Sequence, residues 1–365
     1  MTKIKDITNY LESWAPLAYQ EPYDNCGLLV GDPTTTVKGI LICLDITENV
    51  LQEAKEKNCN LIIAHHPIIF QPIKKLTGAS YVERCMIQAI RQDIAMYSLH
   101  TNLDNRIDGV NDAMAQQLGL QNLQILLPKP NTLQRLITFL PPAALELVRE
   151  ALHQAGAGHI GNYSHCSFNS VGTGTFQPNE LANPYIGQSH QLETVGEHKL
   201  EVIFPAYLAK NIVESLKQSH PYEEPVYQIQ NLENMNLQIG AGIIGELPQP
   251  FENQAFLKYL KEKMNLTLIR HSAYIKQNIK KVALCGGAGI GLLSEARRQG
   301  ADAFITSDVK YHHFFDAEEQ LLIADIGHYE SEIAIKQLIY KKLSEKFSNI
   351  VLLQSMVQTN PVHYF

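Results

Sequence analysis

Short, almost uninterrupted apolar runs alternate with amphipathic stretches at both ends of the chain. Gly39–Asp45 (GILICLD) reads as a buried strand, Glu48–Lys57 as a helix, and Asn60–Ala64 (NLIIA) as a second buried strand. Tyr81–Arg91 predicts a helix and Ala95–Leu99 a strand. Strands that are apolar on both faces and separated by helix-length segments imply parallel pairing with helical crossovers. Toward the C-terminus the order recurs: strand at Lys281–Cys285, helix at Gly291–Gln299, strand at Ala303–Thr306, and a later strand at Gln320–Asp325.

Between these flanks the pattern changes. Leu133–Leu140 predicts a strand and Ala143–Ala155 a helix, followed by a Gly-rich stretch containing Gly156, Gly158, Gly161, Gly172 and Gly174. A strand at His198–Phe204 and a helix at Ala206–Ser219 come next. This β-α…β-α order indicates a small ferredoxin-like α+β unit. Pro128-Lys129-Pro130-Asn131 and Pro248-Gln249-Pro250 punctuate its two ends. The expected organisation is therefore an α/β core in two parts, 1–130 and 250–365, interrupted by an inserted domain over 131–249.

The two flanks also place polar groups alike. His65-His66 follow the second strand of the first flank, and His312-His313 lie shortly after the second strand of the other. His100-Thr-Asn-Leu-Asp104 and His328-Tyr-Glu-Ser-Glu332 each follow the later strand. Two readings stand: a core of two similar, interleaved α/β halves, or a coincidence of common βα units.

Composition narrows the classes. A chain of 365 residues suits two or three domains. The net charge of −7 argues against a general nucleic-acid coat, though not against a local basic groove, and makes nucleic acid an unexpected partner. Thr132–Pro248 holds five Lys and Arg against eleven Glu and no Asp, so most of the negative charge falls in the middle segment. No apolar run approaches the ~20 residues of a membrane span, and Met1–Pro16 has no apolar signal core. The six cysteines are scattered without a CxxC pair, as in a reduced, cytoplasmic protein.

Among fourteen histidines, the useful ones lie where strands end, because open α/β sheets leave a crevice at their carboxyl edge. His65 and His66 follow such a strand, and Pro67 biases His66 away from helix. His328 and Glu332 are spaced i, i+4, one turn apart on a helix that starts near Gly327. Asp104 is the corresponding carboxylate of the first flank. Three imidazoles and two carboxylates suit zinc, iron or manganese and suit magnesium or calcium poorly. Five side chains serve two ions economically if one carboxylate bridges them.

Several stretches in order resemble the GTP cyclohydrolase 1 type 2 homolog family, also called the NGG-one-interacting-factor-three-like family. They are YDNCGLLVG (23–31), LDIT (44–47), AHHPIIF (64–70), HTNLD (100–104), SDVKYHHFFDA (307–317), GHYESE (327–332) and TNP (359–361). The resemblance implies a dinuclear centre with two divalent ions per subunit, held by His65, His66, Asp104, His328 and Glu332, and assembly into a ring-like homohexamer. Gly158–Tyr163, Cys166-Ser167-Phe168 and HPYEEP (220–225) are similar to the PII- or CutA-like insert of one subset.

Other groups can join this chemistry. Cys285–Gly291 (CGGAGIG) lies between a strand and a helix, where the backbone of Gly287 and Gly289 could cradle a phosphate or simply make a tight turn. Asp308 and His312, spaced i, i+4, are candidate orienting or acid–base groups, as is Glu332. His100 is a ligand's neighbour or a substrate contact. Asp45 either lines the pocket or caps the following helix. The six histidines of the insert follow no ligand spacing. With no Gly-x-Ser-x-Gly and no nucleophilic triad, the expected nucleophile is metal-bound water. Two functions remain: a metal-dependent hydrolase of a nucleotide or other phosphorylated small molecule, or a non-enzymatic metal-binding, delivery or regulatory ring gated by the insert.

Overall fold

The structure, a computed structural model, describes all 365 residues and divides into two compact units. One joins Met1–Pro128 with Leu237–Phe365; the other is Lys129–Asn236.

The first unit is a mixed α/β assembly with two sheets. The five-stranded sheet has the order Gly27–Val30, Ala95–Ser98, Leu61–Ala64, Gly39–Cys43, Val351–Gln354. Its pairs are parallel except the first. Alternation explains its burial on both faces. Ile40, Ile42, Leu61 and Ile63 point into a core shared with the helices Ile4–Trp14 and Ile335–Ser344. Leu41, Cys43, Ile62 and Ala64 point the other way, onto Glu48–Glu56 and Tyr81–Arg91. Register places Cys43 beside Ala64 and Ala64 beside Ser98. The residues that follow, Asp45, His65-His66 and His100, therefore leave the sheet at one edge.

The six-stranded sheet has the order Arg270–His271, Leu322–Asp325, Ala303–Thr306, Ile279–Leu284, Gly240–Phe251, Gln121–Pro128. Its central strands are parallel, with Leu284 beside Ile305 and Thr306 beside Asp325. Gly286-Gly287, Asp308 and His328 thus emerge at a common edge.

The expected end of the insert at 249 is corrected. Gly240–Phe251 is a core strand, antiparallel to both Ile279–Leu284 and Gln121–Pro128. Its prolines, read from sequence as a closing linker, fall where the ladder is interrupted between Glu246 and Phe251. They remove no ladder bond there, which is how a strand tolerates proline. With the boundary at 236, the inserted unit carries six Lys and Arg and ten Glu, or −4 of the total −7.

The second unit has an antiparallel sheet ordered Phe168–Phe176, Glu193–Pro205, Leu133–Leu140, Tyr227–Asn231. The helices Leu145–Gln154 and Ala209–Ser219 bury Val148, Leu152, Ile212 and Leu216 against Leu136, Leu140, Leu200, Val202 and Phe204. The strand Phe168–Phe176 falls within the Gly-rich stretch, where no strand was expected. A Cβ at Gly174 would meet the Glu197 carboxylate on the adjacent strand, so the glycine leaves room for that side chain. No helix of the protein is long and apolar enough to cross a membrane.

Candidate metal centre

The carboxyl edges of the two sheets bring His65, His66, His100, Asp104, His328 and Glu332 together. His65 and His66 follow the Leu61–Ala64 strand; Asp104 ends the one-turn helix Thr101–Asp104. His328 and Glu332 begin and end the helix His328–Glu332, so both side chains lie on one face.

Each of the four imidazoles is anchored through Nδ1. His65 Nδ1–H donates to the Leu99 carbonyl at 2.6 Å. His66, His100 and His328 donate to Asp45 at 2.7 Å, Asp24 at 2.8 Å and Asp308 at 2.7 Å. Carbonyl and carboxylate oxygens only accept, so these bonds set the tautomer and leave Nε2 as the working nitrogen. Glu332 Oε2 lies 2.9 Å from His66 Nε2, 3.2 Å from His328 Nε2 and 3.9 Å from His65 Nε2. Asp104 Oδ1 is 3.6 Å from His65 Nε2.

Electrostatics make this an unusual interior. Glu332 is only 3% exposed and His65 fully buried. Burial favours a neutral Glu332, but the hydrogen bonds from His328 and His66, with the His65 ring close by, outweigh it and hold the carboxyl well below its ordinary range. Burial opposes charge on His66, yet its bonds to Asp45 and Glu332 raise its pKa to about 10. The bond to Glu332 likewise raises His328 to about 9. Burial pushes Asp104 up to about 7. Without a cation, protonated imidazoles supply the positive charge that buried carboxylates require. A divalent ion would supply the same charge and displace those protons.

The residues fit such an ion on two further counts. His65 Nε2 and Asp104 Oδ1 are buried and have no hydrogen-bond partner, a costly arrangement unless something is coordinated there. Anchoring each ring through Nδ1 to an oxygen is the support that metal-binding histidines use. Two overlapping sets, His65–His66–His100 and His66–His328–Glu332, keep their ligand atoms within 4.8 Å of one another.

The structure differs from sequence expectation at several positions. Asp45 does not cap the helix after its strand; Thr47 does, accepting from Val50 N–H. Asp45 instead holds His66 and accepts from Thr359 Oγ1 at 2.6 Å. Asp308 reaches the centre through His328, whereas the His312 ring packs on Tyr311 and Phe315. The glycine loop cannot offer a phosphate the donors expected of it. The N–H groups of Gly286, Gly287 and Gly289 donate to Asn111, Ser331 and Thr306. Gly287 serves close packing: its φ is +63°, and a Cβ would overlap Glu332 Oε1. Sequence reading also missed the anchoring role of Asp24, although YDNCG had marked its neighbourhood.

A cleft of about 470 Å³ opens beside His66 and His328, bordered by Asp45, Tyr329, Tyr364 and Arg270. Arg270 is its one Arg or Lys; it pairs with Asp325 and donates to the Val309 carbonyl at 2.9 Å.

Comparison with known proteins agrees across the chain. Residues 2–361 match the Duf34/NIF3 (NGG1p interacting factor 3) family. A Halalkalibacterium halodurans protein named GTP cyclohydrolase 1 type 2 homolog is 39% identical over 360 residues, 97% of each chain. A Bacillus subtilis protein of the same name is 37% identical, over 98% of this chain and 97% of its own. The crystal structure of a Bacillus cereus protein related to NIF3 superposes with a TM-score of 0.88 at 36% identity, covering 100% of this chain and 99% of the other. With a match that runs nearly end to end and relatives this similar over the same span, the chain belongs to the Duf34/NIF3 family.

Proposed function

We propose that the first unit is a two-metal hydrolase of a nucleotide or other phosphorylated small molecule. GTP ring opening is one case, suggested by the name GTP cyclohydrolase 1 type 2 homolog that its relatives carry. The observation that carries this reading is the convergence of four Nδ1-anchored imidazoles on the buried Glu332 and the half-buried Asp104. His65, His66, Asp104, His328 and Glu332 would hold two divalent ions of the zinc, iron or manganese class. Such ions supply Lewis acidity and lower the pKa of coordinated water to about 7.

The chain's own residues supply orientation and proton handling. Asp45, Asp308 and the Leu99 carbonyl fix the rings of His66, His328 and His65. Asp24 fixes His100, leaving His100 Nε2 as the atom that exchanges a proton with substrate. Substrate would enter by the cleft beside His66 and His328, where Arg270, already paired with Asp325, is the one cation that could meet an anionic group.

The occupied N–H groups of Gly286, Gly287 and Gly289 favour a second reading: a non-enzymatic metal-binding or regulatory assembly that needs no phosphate cradle. In either reading the inserted unit is a ferredoxin-like, PII-type module. Its strand–helix–strand–strand–helix–strand order and its sheet order support that assignment. Assembly into a homohexameric ring follows from the family resemblance and is tested by light scattering.

The deciding experiment measures metal content and turnover together, for the wild type and Glu332→Ala, over a panel of nucleotides and phosphoesters. The hydrolase reading expects bound metal and turnover in the wild type and loss of both in the variant. A metal-loaded wild type that is inert across the panel overturns it and leaves the binding role.

A further inference from the structure

The inserted unit contains a second cluster of ligand-type side chains, separate from the centre described above. Glu150 and His153 are spaced i, i+3 on the last turns of the helix Leu145–Gln154, so they share a face. His165 comes from the loop that follows. A carboxylate oxygen of Glu150 and one nitrogen from each imidazole lie within 4.8 Å of one another. The two rings meet edge to face, with centroids 4.9 Å apart.

His153 makes this more than a chance surface grouping. It is only 8% exposed, and its Nε2 is buried without a hydrogen-bond partner. A buried imidazole nitrogen left unsatisfied is costly unless something occupies it. The surrounding backbone is pinned to present it. Gly158 N–H donates to the Ile203 carbonyl at 2.8 Å, and Cys166 N–H to the Gly158 carbonyl at 2.9 Å. This clamp returns the loop across the helix end and sets His165 opposite His153. Ser164 lies 3.1 Å from His165 Nδ1, which leaves His165 Nε2 to face a ligand.

We propose that Glu150, His153 and His165 form a separate divalent-metal site in the inserted unit, taking a late first-row cation such as zinc in exchangeable form. Two imidazoles and a carboxylate are the donor set of three-ligand zinc sites. Nitrogen donors disfavour calcium and magnesium. Ligand atoms on one zinc ion, each at about 2.0–2.2 Å, lie within about 4.4 Å of one another. Small rotations of the exposed Glu150 and His165 side chains close that difference. Their exposure leaves the remaining coordination positions to water, so the ion exchanges.

The test is zinc binding by the full chain at chelator-buffered free zinc, comparing the wild type with His165→Ala and Glu150→Gln. His159→Ala, at an exposed histidine outside the cluster, is the control. The core ligands are unchanged in all four proteins, so the difference is readable whatever the core binds. We expect His165→Ala and Glu150→Gln to bind one zinc fewer per chain, or to bind it at least tenfold more weakly, with His159→Ala unchanged. Cobalt substitution should give visible absorption in the wild type that both variants diminish. Equal zinc content and cobalt spectra in wild type and variants would overturn the site. So would an equal loss in His159→Ala, which would mark the zinc as adventitious. Both exposed-residue variants leave the packed helix face intact and are expected to fold.

Discussion

Asp45 offers a sharp test of the centre because it supports a proposed ligand without being one. One carboxylate oxygen lies 2.7 Å from His66 Nδ1 and the other accepts from Thr359 at 2.6 Å. Asp45→Asn keeps the shape: the amide carbonyl can still accept from His66, and the amide N–H can face the Thr359 oxygen. Only the charge is lost. Asp45→Ala removes both charge and anchor, freeing the His66 ring to rotate. Outer partners of metal-bound histidines typically contribute 10–100-fold in affinity, or about 1.4–2.8 kcal/mol. His66 belongs to both candidate ligand sets, so the loss should fall at both. We expect about tenfold weaker binding in Asp45→Asn and about 100-fold in Asp45→Ala. Chelator-competition titration with zinc and manganese measures this, with circular dichroism to show that the fold persists. A folded Asp45→Ala protein whose affinity stays within about twofold of wild type would refute the reasoning.

Three further predictions probe other parts of the molecule. Gly287→Ala places a side chain on left-handed backbone and against Glu332; strain of about 1–2 kcal/mol should lower the melting temperature and reduce metal content. Glu53 accepts from Ser355 at 2.5 Å, Met356 N–H at 3.0 Å and Lys57 at 2.7 Å, tying the C-terminal segment to the core. Burial opposes its ionisation, but those bonds outweigh it and lower its pKa. Its contribution is therefore present above the unfolded-state pKa and lost as pH falls through the folded value. Urea unfolding across acidic pH should show this slope in the wild type and a flatter one in Glu53→Gln. Phe204→Ala, at a fully buried position between sheet and helices of the inserted unit, should destabilise that unit by about 3–5 kcal/mol. Faster hydrogen exchange in peptides from 129–236, against an unchanged rate at Leu61–Ala64, would register it.

Much of the architecture is written in local pattern. The apolar runs at Gly39–Asp45, Asn60–Ala64 and Ala303–Thr306 can be buried only in the interior of a sheet, and all three are interior strands. The i, i+4 spacing of His328 and Glu332 puts them on one face wherever the chain is helical there, and it is helical there. Residue type likewise selects the chemistry, since imidazoles with carboxylates favour transition metals in any fold.

Tertiary structure decides what depends on groups distant in sequence. Gly240–Phe251 is a strand because Gln121–Pro128 and Ile279–Leu284 flank it; its own prolines argue otherwise. Whether the glycine loop holds a phosphate depends on Asn111, Ser331 and Thr306, which arrive from three other elements and take its N–H groups. The tautomer of each histidine is set by Leu99, Asp45, Asp24 or Asp308, partners 20 to 76 residues away in the chain. His153 and His165 show no ligand spacing, yet a backbone clamp brings them ring to ring. Periodicity records which side of an element faces the core, a property of neighbouring residues. Hydrogen-bond partners are chosen by folding, so a list of ligand-type residues becomes a site only when long-range packing supplies the groups that aim them.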